Sequence, residues 1–235
     1  GKSANGRFGD WVEEVDWNVG RVLDTLRELK LDARTLVIFT SDNGPWLMKK
    51  ADAGSALPLR DGKSTTYEGG MRVPGIVWWP GHVPAGKVSQ EMAATIDMLP
   101  TLAALSGTKV SAKREIDGKD ISAFLLSKSE SPRKVYFFYS RGVLRGVRSG
   151  KWKYHAALEK SGKTKEVPEQ LFDLENDIGE QNNLIDRNPE KTAELKRLIE
   201  QRLKKDEPEQ KVWEDLRAAQ EAEKKKLQPE NKAAN

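Results

Sequence analysis

The sequence contains no cysteine and only two histidines among its 235 residues. The absence of cysteine excludes a disulfide framework, a zinc-thiolate site and a cysteine nucleophile within these residues. His82 and His155 lie far apart, so we expect no histidine cluster for a metal and interpret both as structural residues. No apolar run approaches the roughly 20 residues of a membrane span. The first ten residues contain no apolar targeting core.

Aromatic residues make up 7% of the chain, and no run interleaves them with basic residues as a nucleic-acid-binding stripe would. The net charge of +4 comes mainly from lysines spread along the chain, so we expect no nucleic-acid partner. Residues of both charges reach 32%, while the 37% hydrophobic content is enough to build a core. The length allows one large domain or two small ones.

The first half of the chain has the pattern of an α/β layer. Apolar positions at steps of three and four predict an amphipathic helix over residues 10–30. Apolar runs predict short buried strands over 35–41 and 73–81. Asp97 is predicted to cap a helix over 98–107 with its side chain. A helix followed closely by an apolar strand is typical of α/β architecture.

Consecutive short strands predict a small antiparallel sheet after residue 132, with a hairpin turn at Ser149-Gly150. Asn188-Pro189 then opens a helix. Three apolar residues of this helix are expected to pack on the sheet: Leu195, Leu198 and Ile199.

Three segments are therefore predicted. Residues 1–131 belong to the α/β part, and 132–205 form the small sheet with its helix. Residues 206–235, rich in Glu, Lys and Ala, form a charged tail that is either helical or disordered.

Asp42 and Asn43 end the first predicted strand side by side, in the stretch LVIFTSDNGPW. One interpretation is a turn alone, because Asn-Gly is a leading turn dipeptide. The other is a hard-cation site, because calcium and magnesium take oxygens from Asp, Asn and backbone carbonyls. Strand ends in α/β sheets are also where ligands usually bind. Two ligands cannot make such a site alone, so other carboxylates would have to come from elsewhere.

Residues 44–70 show no periodicity, and long loops of this kind are often functional. Gly62-Lys63-Ser64 does not belong to a nucleotide-binding loop, because Leu57 stands where that motif requires glycine. In its glycine-flanked, uncharged setting, the ammonium group of Lys63 suits a tetrahedral oxyanion. Trp46 follows the Asp-Asn corner and is a candidate for lining a pocket.

Four residues that follow Thr65 in the chain are interpreted as structural. Thr66 and Tyr67 are interpreted as turn and packing residues. Glu68 and Arg72 flank Gly69-Gly70, and we expect them to form a local ion pair that fixes the loop.

At this point three ordered stretches resemble the later half of a sulfatase of the arylsulfatase type. They are DWVEEVDWNVGRVLDTLRELKLDARTLVIFTSDNGPW, then LRDGKSTTYEGGMRVPGIVWWPGHVPAG, then ATIDMLPTLAALSG. The similarity runs from about Gly6 to Leu184, where LRGVRSGKWKYH and LFDLENDIGEQNNL resemble the C-terminal subdomain of that family. The patterns T-S-D-N-G and G-K-x-T-T-Y-E-G-G-x-R-V-P are highly specific together.

The resemblance implies an alkaline phosphatase-like α/β sandwich with a mixed central sheet and a small C-terminal antiparallel sheet with a packed helix. It implies hydrolysis of sulfate esters by a formylglycine nucleophile, made from cysteine or serine and held by a calcium ion. Asp42 and Asn43 align with two of the calcium ligands. Lys63 aligns with a lysine that contacts the sulfate group.

The family's nucleophile motif, C/S-x-P-S/A-R, does not occur here, so the chain resembles a C-terminal half that is inactive alone. The expected partners are the N-terminal half of the same protein and either a small sulfate ester or a sulfated sugar. The resemblance also implies export from the cell. Two alternatives stay open: a phosphodiesterase or phosphonate hydrolase on the same scaffold, and a catalytically incomplete piece with a binding or assembly role.

Overall fold

A computed structural model of the chain describes residues 2–113, 115–157 and 166–227. The α-helices of these residues are α1 (Gly6–Glu28), α2 (Glu68–Met71), α3 (Met98–Leu105), α4 (Ser122–Leu125) and α5 (Pro189–Leu227). The strands are β1 (Val37–Thr40), β2 (Gly75–Trp78), β3 (Val135–Ser140), β4 (Val143–Ser149), β5 (Trp152–His155) and β6 (Gln170–Asp173). β1 and β2 form one antiparallel pair, and the other four strands form a second antiparallel sheet in the order β3-β4-β5-β6.

Helix α1 and the β1–β2 pair form the layer that carries the candidate site. The predicted amphipathic face is present, and its Val19 lines an apolar groove shared with Phe39 of β1. Thr40 at the end of β1 is opposite Gly75 at the start of β2. The chain that leaves β1 therefore enters the loops at one edge of this pair.

Large apolar side chains of this layer are exposed in the chain as it stands. Trp11 on α1 is 70% exposed, Ile76 on β2 is 58% exposed and Leu99 on α3 is 61% exposed. Contiguous exposed apolar surface, where it occurs, is typical of interaction sites.

The core of the second sheet lies between its strands and helix α5. Val147, Leu171 and Leu195 are fully buried there. Ile199 and Leu198 pack against the same cluster, which confirms the predicted apolar face of the helix. The predicted turn at Ser149-Gly150 joins β4 to β5, and Gly150 adopts the left-handed φ of +57° that such turns favour.

Helix α5 continues without a break to Leu227, so the predicted tail is helical from residue 206 to 227. Residues 228–235 and the side chain of Trp213 lie outside the described part of the chain. Among the described residues, no helix combines the length and the apolar character needed to cross a membrane. The predicted segment boundaries stay predictions.

Asp97 is the N-cap residue of α3, and its side chain joins the two parts of the chain. Arg133 donates from Nε to Asp97 Oδ2 at 2.7 Å and from Nη2 to Oδ1. The Lys119 N–H also donates to Oδ1, at 2.8 Å. Both members of the pair are buried, and the Asp97 side chain makes no cap hydrogen bond to α3. Asp97 therefore occupies the predicted N-cap position of α3, but its carboxylate pairs with the Arg133 guanidinium, a stronger partner than a helix N–H group.

Candidate functional site

The Asp-Asn corner directly follows β1 and turns away from the sheet. Asp42 is exposed and Asn43 is half-buried. The Ser41 hydroxyl donates to the backbone carbonyl of Asn43 at 3.0 Å, which holds the corner in one shape. The Asp42 carboxylate is exposed after the end of β1, and the Ser41 hydroxyl lies 3.5 Å from its Oδ1.

Two backbone hydrogen bonds join this corner to the loop that carries Lys63. The Lys63 N–H donates to the Pro45 carbonyl at 2.9 Å, and the Gly44 N–H donates to the Gly70 carbonyl at 3.1 Å. The structure therefore brings together two segments that lie about twenty residues apart in the sequence. Their side-chain roles stay predictions.

Glycine is required where these two segments touch. A Cβ atom on Gly44 would lie 1.7 Å from the carbonyl oxygen of Gly69, and one on Gly62 would lie 2.3 Å from that of Pro45. Real Cβ contacts do not fall under 3.0 Å. The glycines of the DNG and DGK stretches thus serve close backbone approach.

Trp46 lies beside Lys63, at the outer side of the corner. The Lys63 ammonium is 5.6 Å from the centroid of the indole ring, and the Lys49 ammonium is 4.4 Å from it. Both are within the range of cation–π attraction. Trp46 is 47% exposed, so it forms a wall of an open surface rather than part of a core.

Asp42 and Asn43 are suitable ligand types for a hard cation, but two ligands are too few for a complete site. Asp42 offers a carboxylate and Asn43 a neutral carbonyl oxygen, and both are ligand types that calcium prefers. Calcium takes six to eight oxygens in proteins. Across the described ranges, no group of three or more acidic or histidine side chains is placed to hold a metal ion. These two residues can therefore provide only part of a metal site.

Glu68 lies in the loop from Arg60 to Gly70 that carries Lys63, and its side chain is buried. Its Oε1 accepts from Lys153 Nζ at 2.9 Å, and Arg148 Nη1 lies 3.4 Å from its Oε2. Arg72, the predicted local partner, is farther away at 3.9 Å. The predicted ion pair is present, but the closest partner of Glu68 comes from strand β5.

Glu180 forms the other side of this cluster. Its Oε2 accepts from the Glu68 N–H at 2.6 Å, and its Oε1 lies 3.0 Å from Lys153 Nζ. Lys153 and Glu180 are both 0% exposed. Burial alone would raise the pKa of Glu180, but the Lys153 ammonium and the Glu68 N–H bring it below its ordinary value. The carboxylate is thus kept charged.

His155 is buried behind the loop, and its structural role stays a prediction. Its ring stacks on Tyr67 at 4.7 Å, and its Nδ1 lies 3.4 Å from the Thr66 hydroxyl. Its Nε2 lies 3.5 Å from Glu180 Oε1, too far and too poorly aligned for a good hydrogen bond. Burial lowers the pKa of His155, with Lys153 acting in the same direction and Glu180 against it.

Further contacts anchor the same loop to the second sheet. The Tyr67 hydroxyl donates to Gln170 at 2.7 Å. The Arg60 guanidinium lies over the Tyr67 ring at 3.9 Å and donates to the Glu180 carbonyl at 2.8 Å.

Sequence analysis missed Lys153 and Glu180. The available signal was a lysine between Trp152 and Tyr154, in a strand whose neighbours are apolar.

Two family models match the chain. One, described as Sulfatase, matches residues 4–108, and the other, described as N-sulphoglucosamine sulphohydrolase, C-terminal, matches residues 61–209. The chain belongs to the sulfatase family. Among curated sulfatases, arylsulfatase A of Bos taurus is 40% identical over 222 residues, which cover 86% of this chain and 43% of the bovine protein.

Solved structures agree with this assignment. The PsFucS1 sulfatase from Pseudoalteromonas sp. has a TM-score of 0.75 and 28% identity, over 83% of this chain and 42% of that sulfatase. A protein solved in complex with its substrate D-glucosamine-2-N,6-O-disulfate has a TM-score of 0.62 and 25% identity, over 82% of this chain and 39% of that protein. The α/β fold class is confirmed, and the chain spans less than half the length of these sulfatase relatives.

Proposed function

We propose that this chain supplies part of the calcium and sulfate site of a sulfuric ester hydrolase. The observation that carries the proposal is the pair of backbone hydrogen bonds between the Asp42-Asn43 corner and the Lys63 loop. They support it because they hold the backbone next to Asp42 and Asn43 against the backbone of the segment that carries Lys63. In the proposal, Asp42 and Asn43 are the oxygen ligands of the cation and Lys63 is the cationic group that contacts the anion. Membership of the sulfatase family supports the reaction type.

The roles of the residues follow from charge. Cleavage of a sulfate ester builds negative charge on the bridging and equatorial oxygens. A bound calcium ion offsets that charge and increases the acidity of the attacking hydroxyl group. The Asp42 carboxylate balances the charge of the cation, and Asn43 contributes a neutral oxygen. Lys63 adds a fixed positive charge directed at the sulfate, and Trp46 limits where that ammonium can move.

The remaining parts of the active site belong to an N-terminal partner in this proposal, namely the other half of the same protein. The exposed apolar side chains of α1 and β2 support it, because a second set of elements packed there would remove them from water. The coverage of less than half of each relative supports it as well. The chain alone is then inactive, and the nucleophile comes from the partner. Export of the assembled protein is proposed on the family resemblance.

A sulfated sugar is the proposed substrate class, although a small aryl sulfate fits the same chemistry. Support comes from the related protein whose solved complex contains a disulfated glucosamine. The exposed lysines beside Trp46 add positive charge where a sulfated sugar would bind.

The test measures turnover of 4-nitrophenyl sulfate, with calcium and with a calcium chelator, for this chain and for the longer protein that contains it. We expect calcium-dependent turnover by the longer protein and none by the chain. Bis(4-nitrophenyl) phosphate is assayed in parallel, because preferential cleavage of the diester would replace the proposal with a phosphodiesterase. Failure of the longer protein to cleave any sulfate ester would overturn it.

A further inference from the structure

The loop from Arg60 to Gly70 is held mainly by residues of the second sheet. Four separate interactions cross to that sheet and the turn after it: Glu68 with Lys153, the Glu68 N–H with Glu180, Tyr67 with Gln170, and Arg60 with the Glu180 carbonyl. The interacting residues lie between 85 and 120 positions apart in sequence. The second sheet thus determines the position of this loop.

Burial makes the ionic part of these contacts sensitive to any single change. Lys153 is 0% exposed and Glu68 is 2% exposed. A buried charge that loses its partner cannot be compensated by water, so the surrounding chain shifts until it is paired or solvated again. Replacing the Glu68 carboxylate by an amide removes one of the two carboxylates that pair with Lys153 and also the carboxylate that faces Arg148. Two positive charges then share the single negative charge of Glu180.

A shift at Glu68 reaches Lys63 because internal hydrogen bonds and close backbone contacts hold the loop residues between them together. The Thr65 N–H and hydroxyl both bond to the Gly62 carbonyl, at 3.2 and 2.9 Å. A Cβ on Gly70 would lie 2.4 Å from the Thr65 carbonyl and 2.5 Å from that of Gly62. The two ends of the loop are thus packed backbone to backbone and move together.

We propose that Glu68 and Lys153 are positioning residues that fix the ammonium group of Lys63 on the sulfate. The inference rests on the proposed function, in which Lys63 contacts the sulfate. It assigns the second sheet a role in the reaction, since Lys153 of β5 acts on the substrate only through Glu68 and Lys63.

The structure offers a matched control. Asp97 and Arg133 form a second buried ion pair between the same two parts of the chain, with Asp97 0% exposed. The hydrogen bonds of Asp97 go to Ala94, Lys119 and Arg133, and none goes to the Lys63 loop. Asp97→Asn therefore removes a comparable buried charge without touching that loop.

The experiment is a double-mutant cycle on kcat/KM for 4-nitrophenyl sulfate in the longer protein, with Lys63→Met as the common partner. We expect Glu68→Gln to lower kcat/KM about tenfold or more in the wild-type background, since a misplacement of about 1 Å can cost a hundredfold. In the Lys63→Met background the same change should cost less than about twofold, because coupled sites are not additive. Asp97→Asn should have the same effect in both backgrounds.

Each outcome decides a different point. If Lys63→Met leaves kcat/KM unchanged, the proposed function of Lys63 fails. If Lys63→Met lowers kcat/KM but Glu68→Gln lowers it equally in both backgrounds, or not at all, the positioning role of Glu68 is wrong. The proposed function of Lys63 then still holds. If Glu68→Gln cannot be recovered folded, Arg148→Met replaces it in the cycle, because Arg148 contacts the same carboxylate from a partly exposed position.

Discussion

Gly44→Ala tests whether the Asp-Asn corner and the Lys63 loop are pressed together as the structure has them. The added Cβ would lie 1.7 Å from the Gly69 carbonyl oxygen and 3.2 Å from the Gly70 Cα, and both atoms belong to the backbone. No side chain can rotate away to make room. The two segments must therefore separate by more than an ångström.

Two effects contribute to the expected loss in the free energy of unfolding. Overpacking of this kind costs about 1–3 kcal/mol. Separation also breaks the 3.1 Å hydrogen bond from the Gly44 N–H to the Gly70 carbonyl, which contributes about 1 kcal/mol. We expect the free energy of unfolding to fall by about 2–4 kcal/mol. In the longer protein, the same displacement between Asp42 and Lys63 should lower kcat/KM about a hundredfold.

The assay is urea unfolding followed by tryptophan fluorescence, with Gly20→Ala as the control. Gly20 lies within α1, and a Cβ there meets nothing within 4 Å. That change should raise the free energy of unfolding by about 0.5–1 kcal/mol, because alanine favours a helix over glycine. If Gly44→Ala unfolds within about 0.5 kcal/mol of the wild type, in the range of an ordinary surface substitution, the close approach at the site is wrong.

Three further predictions concern single side chains. Lys63→Met should lower kcat/KM of the longer protein about a hundredfold or more, by analogy with the loss of one oxyanion donor, and an unchanged rate would contradict its contact with sulfate. Asp42→Ala should weaken calcium binding in calorimetry, and equal affinity would remove Asp42 from the metal site. His155→Gln should reduce the loss of stability between about pH 8 and pH 5. Burial lowers the pKa of His155, so the unfolded chain binds its proton more readily below about pH 6.5, and the wild type loses stability as the pH falls. The carboxyl of Glu180, with its lowered pKa, titrates below this window. Equal urea midpoints of variant and wild type across that range would contradict the assignment to the histidine.

Periodicity and turn chemistry were sufficient to predict most of the fold. The spacing of apolar residues predicted α1, and the Ser149-Gly150 turn predicted the β4–β5 hairpin, because each depends on residues close in sequence. The N-cap position of Asp97 was predicted in the same way, but its buried side-chain partner, Arg133, was not, because it lies 36 residues away. Rules based on neighbouring residues predict the partner of a side chain only when no stronger partner from a distant part of the chain contacts it.

The candidate site was predictable only in part for the same reason. Asp42, Asn43 and Lys63 stand in motifs that can be recognised in the sequence. The buried cluster under the loop could not be found in this way, because Lys153 and Glu180 lie 85 and 112 residues from Glu68. A lysine in the apolar strand WKYH marks an unusual position, but its partner is identified only by the tertiary fold.

The proposed division of the site between two halves would have a thermodynamic consequence. In the proposed site this chain offers two side-chain ligands, and calcium requires at least six oxygens, so the ion binds strongly only when other ligands are present. Those ligands would arrive with the elements that cover the exposed apolar face of α1 and β2. An ion that binds the assembled form better than the separate parts stabilises the assembled form by the same free energy. In the proposed assembly, metal binding and burial of that face would therefore stabilise each other, and the two backbone hydrogen bonds would keep Lys63 beside the metal-binding corner.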